Sequence, residues 1–379
     1  FMNILIAIDS FKGCIDSLEA GESAAKGARM AFPDAEIIVR PLADGGEGTV
    51  QALASGCNGI MCKADVTGPL GKQVVCQYAI INGNTAVIEM AGAAGITLIS
   101  ENERNPLYTT TYGVGEVVKD AIVNGCRNFI IGIGGSATND GGTGMLQALG
   151  FGMENSNGEA IAYGATGLKD LSVITDINVL PELNDCNFKV ACDVTNPLCG
   201  ENGCSMVFAP QKGASVKLAM QMDTWMYNYA RVVQKFIPDA DINYPGAGAA
   251  GGMGFAAKTF LDASLEPGVQ LVLRETGFEQ YVKEADIVVT GEGQLDGQTV
   301  MGKAPAGVAS LAKQYNKPVI AFSGSVTDGA FVCNKTGIDA FFPVLRSVCT
   351  LKEAMDKENA IKNIMNTAEQ VFRLIKTIK

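Results

Sequence analysis

Short apolar runs alternate with amphipathic stretches along most of this chain, and that alternation limits the fold more than any other feature. The first unit reads strand, loop, helix, strand: ILIAID, then SFKG, then a helical stretch from Ser17 to Phe32 closed by Pro33, then EIIVRPL. A run as short and continuous as ILIAI fits a parallel strand buried on both faces. Glu19 stands near the start of the helical stretch, where an acid favours the exposed N–H groups. The same style recurs. A helix from Gly113 to Asn124 leads to NFIIGIGG, DIVVTGEG precedes a helix around Ala304 to Tyr315, PVIAFSGS follows it, and AFFPVL leads to a helix from Leu351 to Lys376. Strands and helices in this order predict an α/β fold built on a right-handed, doubly wound parallel sheet.

Two stretches depart from the pattern. Residues 60–90 read as hairpins, with turn signals at Gly68-Pro69-Leu70-Gly71 and Asn82-Gly83-Asn84. Residues 150–275 mix strands such as FKVACDV with a long helix, Val216 to Phe236, and the small-residue run PGAGAAGGMG. At 379 residues the chain exceeds what one core usually holds, so two domains are expected. The boundaries read as a discontinuous first domain over 1–44, 107–146 and 280–379. A mixed α/β domain inserted into it takes 45–106 and 147–279.

Histidine is absent from the chain. That excludes serine–histidine and cysteine–histidine hydrolases, histidine-ligated zinc and histidine general bases together. Acid–base chemistry falls to Asp, Glu, Lys, Tyr or Cys. A net charge of −11 argues against nucleic acid or an anionic membrane as partner, while leaving room for a local basic site. The 11 cysteines contain no C-x-x-C pair and read as reduced thiols of a cytoplasmic protein. No apolar run approaches the ~18 residues of a membrane span, and no secretory leader is expected.

In a doubly wound sheet, ligands bind beyond the carboxyl ends of the strands. Those positions here carry a consistent chemistry. Asp9, Ser10 and Lys12 follow the first strand, and Asp44 to Glu47 follow the second. FIIGI runs into Gly134, Gly135, Ser136, Thr138, Asn139 and Asp140; DIVVT runs into Gly291, Glu292, Gly293 and Asp296, with Lys303 beyond. Glycine lets backbone N–H groups approach phosphate oxygens, carboxylates without histidine suit Mg²⁺, and lysines at 12, 212 and 303 could neutralise a transferring group. Phosphoryl transfer is the chemistry this combination suggests.

Each element also has a plainer reading. Gly134-Gly135-Ser136 could be a tight turn, and Asp9 a cap on its own loop. Lys212, in APQKGAS, reads by itself as a solvated loop lysine. GQTVMGKA at 297–304 approaches a phosphate-loop signature but ends in Ala304, which offers no hydroxyl to magnesium. PGAGAAGGMG follows no strand, so close packing or a flexible loop explains it better than a dinucleotide fingerprint.

Taken together, the motifs resemble the glycerate kinase type-1 family of bacteria, whose members have a flavodoxin-like domain. The resemblance runs in order through nearly the whole chain: DSFKG at 9–13, LADGGEGT at 42–49, TGPLG at 67–71, NPLYTTTYGVGE at 105–116 and IGIGGSATNDGGTGMLQALG at 131–150. It continues through CDVTNPLCG at 192–200, APQKGA at 209–214, PGAGAAGGMGF at 245–255, TGEGQLDGQT at 290–299 and GKAPAGVA at 302–309. Ile8 and Cys14 depart from residues frequent in the family, and neither is a group expected to do chemistry.

The resemblance implies ATP- and Mg²⁺-dependent phosphorylation of D-glycerate to 2-phosphoglycerate, in a cleft between a flavodoxin-like domain and an inserted α/β domain. A homodimer is compatible with it. As a mechanism, Asp193 is the first candidate to accept the hydroxyl proton and Asp44 the second. Asp296 and Glu292 are expected at magnesium. Gly134, Gly135 and Ser136, with Gly291, Gly293 and Lys303, are expected to hold the nucleotide, and Lys12 and Lys212 the glycerate carboxylate or γ-phosphate. Asp140 could touch ligand or brace its loop, and bracing is favoured. Three rivals stand beside this reading: a kinase for another hydroxy acid, a dinucleotide oxidoreductase, and a silent sensor of a phosphorylated metabolite.

Overall fold

The apolar runs become thirteen strands among the described residues, which are 2–300 and 302–378 of a computed structural model. In chain order they are β1 (Asn3–Ile8), β2 (Glu36–Val39), β3 (Ile60–Thr67), β4 (Gln73–Ile81), β5 (Thr85–Glu89) and β6 (Asn128–Gly132). The rest are β7 (Gly152–Glu154), β8 (Val173–Thr175), β9 (Asn187–Ala191), β10 (Ser264–Glu266), β11 (Ile287–Leu295), β12 (Val319–Val326) and β13 (Ala340–Pro343). They fall into two units. Unit 1 comprises Phe1–Asp44, Gln51–Cys57 and Val269–Lys379; unit 2 comprises Gly45–Val50 and Asn58–Gly268.

Unit 1 holds a five-stranded sheet in the order β13-β12-β11-β1-β2, parallel throughout. Side chains alternate across it, as strand geometry requires. Ile4, Ile6 and Ile8 meet Ala24 and Ala28 of the Ser17–Ala31 helix and Ile364 and Phe372 of the Lys357–Ile378 helix. Leu5 and Ala7 face the opposite core, with Leu273, Phe278 and Val308 from three other helices. Each fully buried isoleucine contributes roughly 1.5–3 kcal/mol. The Ser17–Ala31 helix begins with a capping box: Asp16 accepts from Glu19 N at 2.8 Å and Glu19 accepts from Asp16 N at 3.3 Å. It lies so close to the Lys357–Ile378 helix that a Cβ on Gly27 would stand 2.1 Å from the Met365 carbonyl oxygen.

Unit 2 holds a six-stranded sheet in the order β10-β9-β6-β5-β4-β3. Its β3, β4 and β5 are antiparallel, the hairpins expected for 60–90, while β5, β6, β9 and β10 run parallel. A single core joins this sheet to the Tyr112–Val123, Val216–Phe236 and Ala249–Leu261 helices.

Four expectations change. Segment 107–146, expected in the first domain, belongs to unit 2, because β6 pairs with β5 on one side and β9 on the other. Residues 51–57 and 269–279, expected in the inserted domain, belong to unit 1. The helix expected over 351–376 breaks into Leu351–Ala354 and Lys357–Ile378, where Asp356 accepts from Asn359 N at 3.0 Å and starts a new helix. The fourth change lies in β11, which continues through Leu295. Gly291 and Gly293 are therefore strand residues and not part of a loop. A side chain at Gly291 would meet the Phe322 carbonyl oxygen of β12 at 2.0 Å, so glycine there permits close strand pairing. No helix among the described residues is long and apolar enough to cross a membrane.

Candidate functional site

In unit 1 the ends of β1, β11 and β12 open onto a cavity of about 490 Å³. Its polar side carries Asp9, Lys12, Asp44, Glu292, Asp296 and Lys303, all noted in the sequence and five of them given a role there. Asp9 continues β1 by donating its N–H to the Gly291 carbonyl at 2.8 Å. Its carboxylate accepts from Ser10 N at 2.7 Å, so the capping role expected of it is present. The chain then turns tightly, with Phe11 and Ile15 bridged, and presents Lys12 3.6 Å from Asp44.

The electrostatics of this corner follow from crowding. Asp9 is 5% exposed, and burial, reinforced by Asp44, pushes its carboxyl up to about 7. Burial also raises Glu292, against a hydrogen bond from Thr299 Oγ1 at 2.6 Å and the charge of Lys303 at 3.7 Å. Asp296 stays lowered: its burial is outweighed by the Gln298 and Thr299 N–H groups at 2.8 and 3.1 Å and by Lys303 at 3.3 Å. Asp44 holds the Lys12 ammonium above its ordinary range.

Several carboxylates line this one cavity, a donor type that would suit Mg²⁺, and Asp9 is the one most raised by burial and by Asp44. Among the described residues no three acids close around a single cation. Glu292 and Asp296 both line the cavity, but Asp296 Oδ1 already braces the 296–299 turn. Asp9 is the strand-end residue to which the sequence assigned no specific role. Its place at the end of the first strand was the available signal, and its capping role concealed it.

Unit 2 treats its charges differently. Gly134 and Gly135 form an exposed turn with Gly135 at φ +70°, and the Gly135 carbonyl accepts from Ile96 N at 2.9 Å. The next helix begins only at Thr143, so no helix start stands directly behind the turn. Ser136 accepts from Lys212 Nζ at 2.7 Å, and Nζ also donates to the Thr138 carbonyl at 2.6 Å. Lys212 is 2% exposed, not the solvated lysine its local sequence suggests, and burial pulls its ammonium down to about 8.

Asp140 is fully buried and accepts from Thr111 N at 2.8 Å, Thr111 Oγ1 at 2.9 Å and Gly142 N at 3.1 Å. It ties the starts of the Tyr112–Val123 and Thr143–Ala148 helices together, which is the bracing role, and burial raises its carboxyl. The PGAGAAGGMG run packs against this same loop. A Cβ on Gly251 would lie 2.1 Å from the Thr138 carbonyl, and Ala250, Gly251 and Gly252 are all left-handed. Close packing explains the run. Asp193 follows β9, is exposed, and accepts from Gly268 N at 2.9 Å.

Of the expected site residues, the unit 1 cavity thus gathers Lys12, Asp44, Glu292, Gly293, Asp296 and Lys303, while Gly291 lies in the strand beneath. Ser136 and Lys212 meet in unit 2 beside Gly134 and Gly135, and Asp193 ends another strand of that unit.

A family model described as the glycerate kinase family matches residues 4–376. A protein of Escherichia coli (strain K12) named glycerate 2-kinase is 46% identical over 98% of this chain and 97% of its own length. A glycerate kinase of Bacillus subtilis (strain 168) is 43% identical over 100% and 99%. A crystal structure from Salmonella typhimurium LT2, provisionally assigned as glycerate kinase 2, superposes with a TM-score of 0.90 at 43% identity, covering 99% of this chain and 98% of that one.

Proposed function

The chain belongs to the glycerate kinase family, and on that footing we propose that it transfers the γ-phosphoryl group of ATP to the C2 hydroxyl of D-glycerate, giving 2-phosphoglycerate. The observation that carries this reading is the end-to-end likeness to the E. coli glycerate 2-kinase, with 46% identity over 98% of the chain. The acid-and-lysine corner of unit 1 supports it chemically. Phosphoryl transfer depends on positioning and charge neutralisation more than on strong base catalysis. A strand order of β2-β1-β11-β12-β13, with helices against both faces, supports a doubly wound, flavodoxin-like reading of unit 1 and with it the type-1 branch. The 11 free thiols support a reducing, cytoplasmic setting.

In this proposal Lys12 and Lys303, both partly exposed, hold phosphate oxygens. Glu292, Asp296 and Asp9 hold Mg²⁺, which would supply charge neutralisation on the transferring group. Asp193 accepts the C2 hydroxyl proton, with Asp44 as second candidate. Lys212, with two of its donors committed internally, fixes Ser136 and the Gly134-Gly135 turn and does not touch ligand itself.

Incubation with Mg-ATP and a panel of hydroxy acids, followed by ³¹P NMR, tests the reading. The 2-phosphoglycerate resonance is expected. A 3-phosphoglycerate resonance would correct the position, and turnover only with another acid would replace the substrate.

A further inference from the structure

The polar corner of the unit 1 cavity accounts for only part of its wall. The same cavity is lined by Phe11, Val344, Leu345, Leu351 and Met355, and by Asn363. Three of these are large aliphatics left uncovered by protein: Leu345 is 38% exposed, Met355 41% and Leu351 75%. They come from the segment after β13, where the expected helix breaks, so the break is what turns Leu351 and Met355 toward the cavity rim. Met355 also packs over the Phe11–Ile15 turn, its methyl 3.2 Å from where a Gly13 Cβ would be.

We propose that this apolar wall is the seat of the nucleotide's base, with the adenine ring against Leu345, Leu351 and Met355, the Asn363 carboxamide on its polar edge, and the phosphates toward Lys12 and Lys303. The inference rests on the kinase reading above and adds where in the chain the nucleotide is recognised. D-Glycerate, a three-carbon acid polar at every carbon, offers nothing to an aliphatic wall and is far too small for the volume. A nucleoside triphosphate joins a flat, weakly polar heterocycle to a polyanion, which is the division the wall shows. Aliphatic and thioether side chains stack well on aromatic faces. A carboxamide carries the donor and acceptor that adenine's amino group and ring nitrogen complement. The volume lies within the range of small-ligand sites.

Isothermal titration of the full chain with the non-hydrolysable analogue Mg-AMPPNP tests this, together with steady-state kinetics. Leu351→Asp, at an exposed position that should not disturb folding (checked by thermal melting), is expected to weaken AMPPNP binding about tenfold or more. The KM for ATP is expected to rise by a similar factor. Asn363→Ala is expected to reduce the preference for ATP over GTP by a similar factor. If Leu351→Asp binds AMPPNP as the wild type does while the wild type phosphorylates glycerate, the base site is overturned and the kinase reading stands. If the variant loses AMPPNP but the wild type phosphorylates another acid, the base site stands and the substrate falls. A wild-type chain that binds no nucleotide overturns both.

Discussion

Both units concentrate ionisable groups at the ends of parallel strands, yet they keep them in opposite ways. In unit 1 the groups face an open cavity, Lys12 and Lys303 are partly exposed, and each acid has a charged neighbour. In unit 2, Lys212 and Asp140 are sealed, and their partners are loop N–H groups, carbonyls and hydroxyls. The contrast separates two uses of charge. A sealed charge holds backbone in place and is felt in stability; an open one is available to ligand and is felt in turnover.

The severest test is Asp140→Ala, which orphans several buried donors at once and is expected to lower unfolding free energy by roughly 3–5 kcal/mol in urea melts. A loss below about 1 kcal/mol would break the distinction. Next, Asp193→Asn is expected to reduce kcat by roughly 10²-fold with stability nearly unchanged; a near-wild-type rate would shift the base to Asp44.

The two units should also carry opposite pH signatures. Lys212 has its folded value, about 8, below the ordinary 10.5, so its buried charge opposes folding below pH 8 and that penalty fades as pH rises toward 10.5. Asp9 is the reverse: raised from 3.8 to about 7, it is most compatible with the fold at low pH and opposes it increasingly from about pH 4 to 7. Stability against pH for Lys212→Met and Asp9→Asn, each referred to wild type, should show these windows, with amplitudes of roughly 1–3 kcal/mol. Coincident windows would refute the assignment. The smallest effect is expected at Lys303→Ala, where KM for Mg-ATP should rise about tenfold. Its stability should stay within about 1 kcal/mol, because its ion pairs are partly solvated.

Much of this was legible in local pattern. Alternating apolar runs announced the strands, Asn82-Gly83-Asn84 the hairpin, and the strand ends the polar corner of unit 1. The placement of β6 was not, because a buried parallel strand looks the same whichever sheet receives it; only Asn128 meeting Thr85 and Asn187 decides that. Nor was the burial of Lys212, since APQKGAS is a polar turn until Ser136 and Thr138, more than 70 positions away, close over it. Glycine misled once. In β11 it reads as the end of a strand, yet it serves a strand whose neighbour lies too near for a side chain. Leu351 and Met355 were concealed inside an apparently continuous helix, which Asp356 interrupts by starting a fresh one.

The pairing of Ile4 with Ile287 has a consequence for how the molecule comes into being on the ribosome. Strand β1 emerges first, but its partner β11 follows some 280 residues later, a wait of roughly 15–55 s at ordinary elongation rates. Unit 2, drawn almost wholly from one continuous stretch, can complete its sheet during that interval. The oily ILIAI segment meanwhile has β2 alone to pair with, which makes it the natural client of a nascent-chain chaperone.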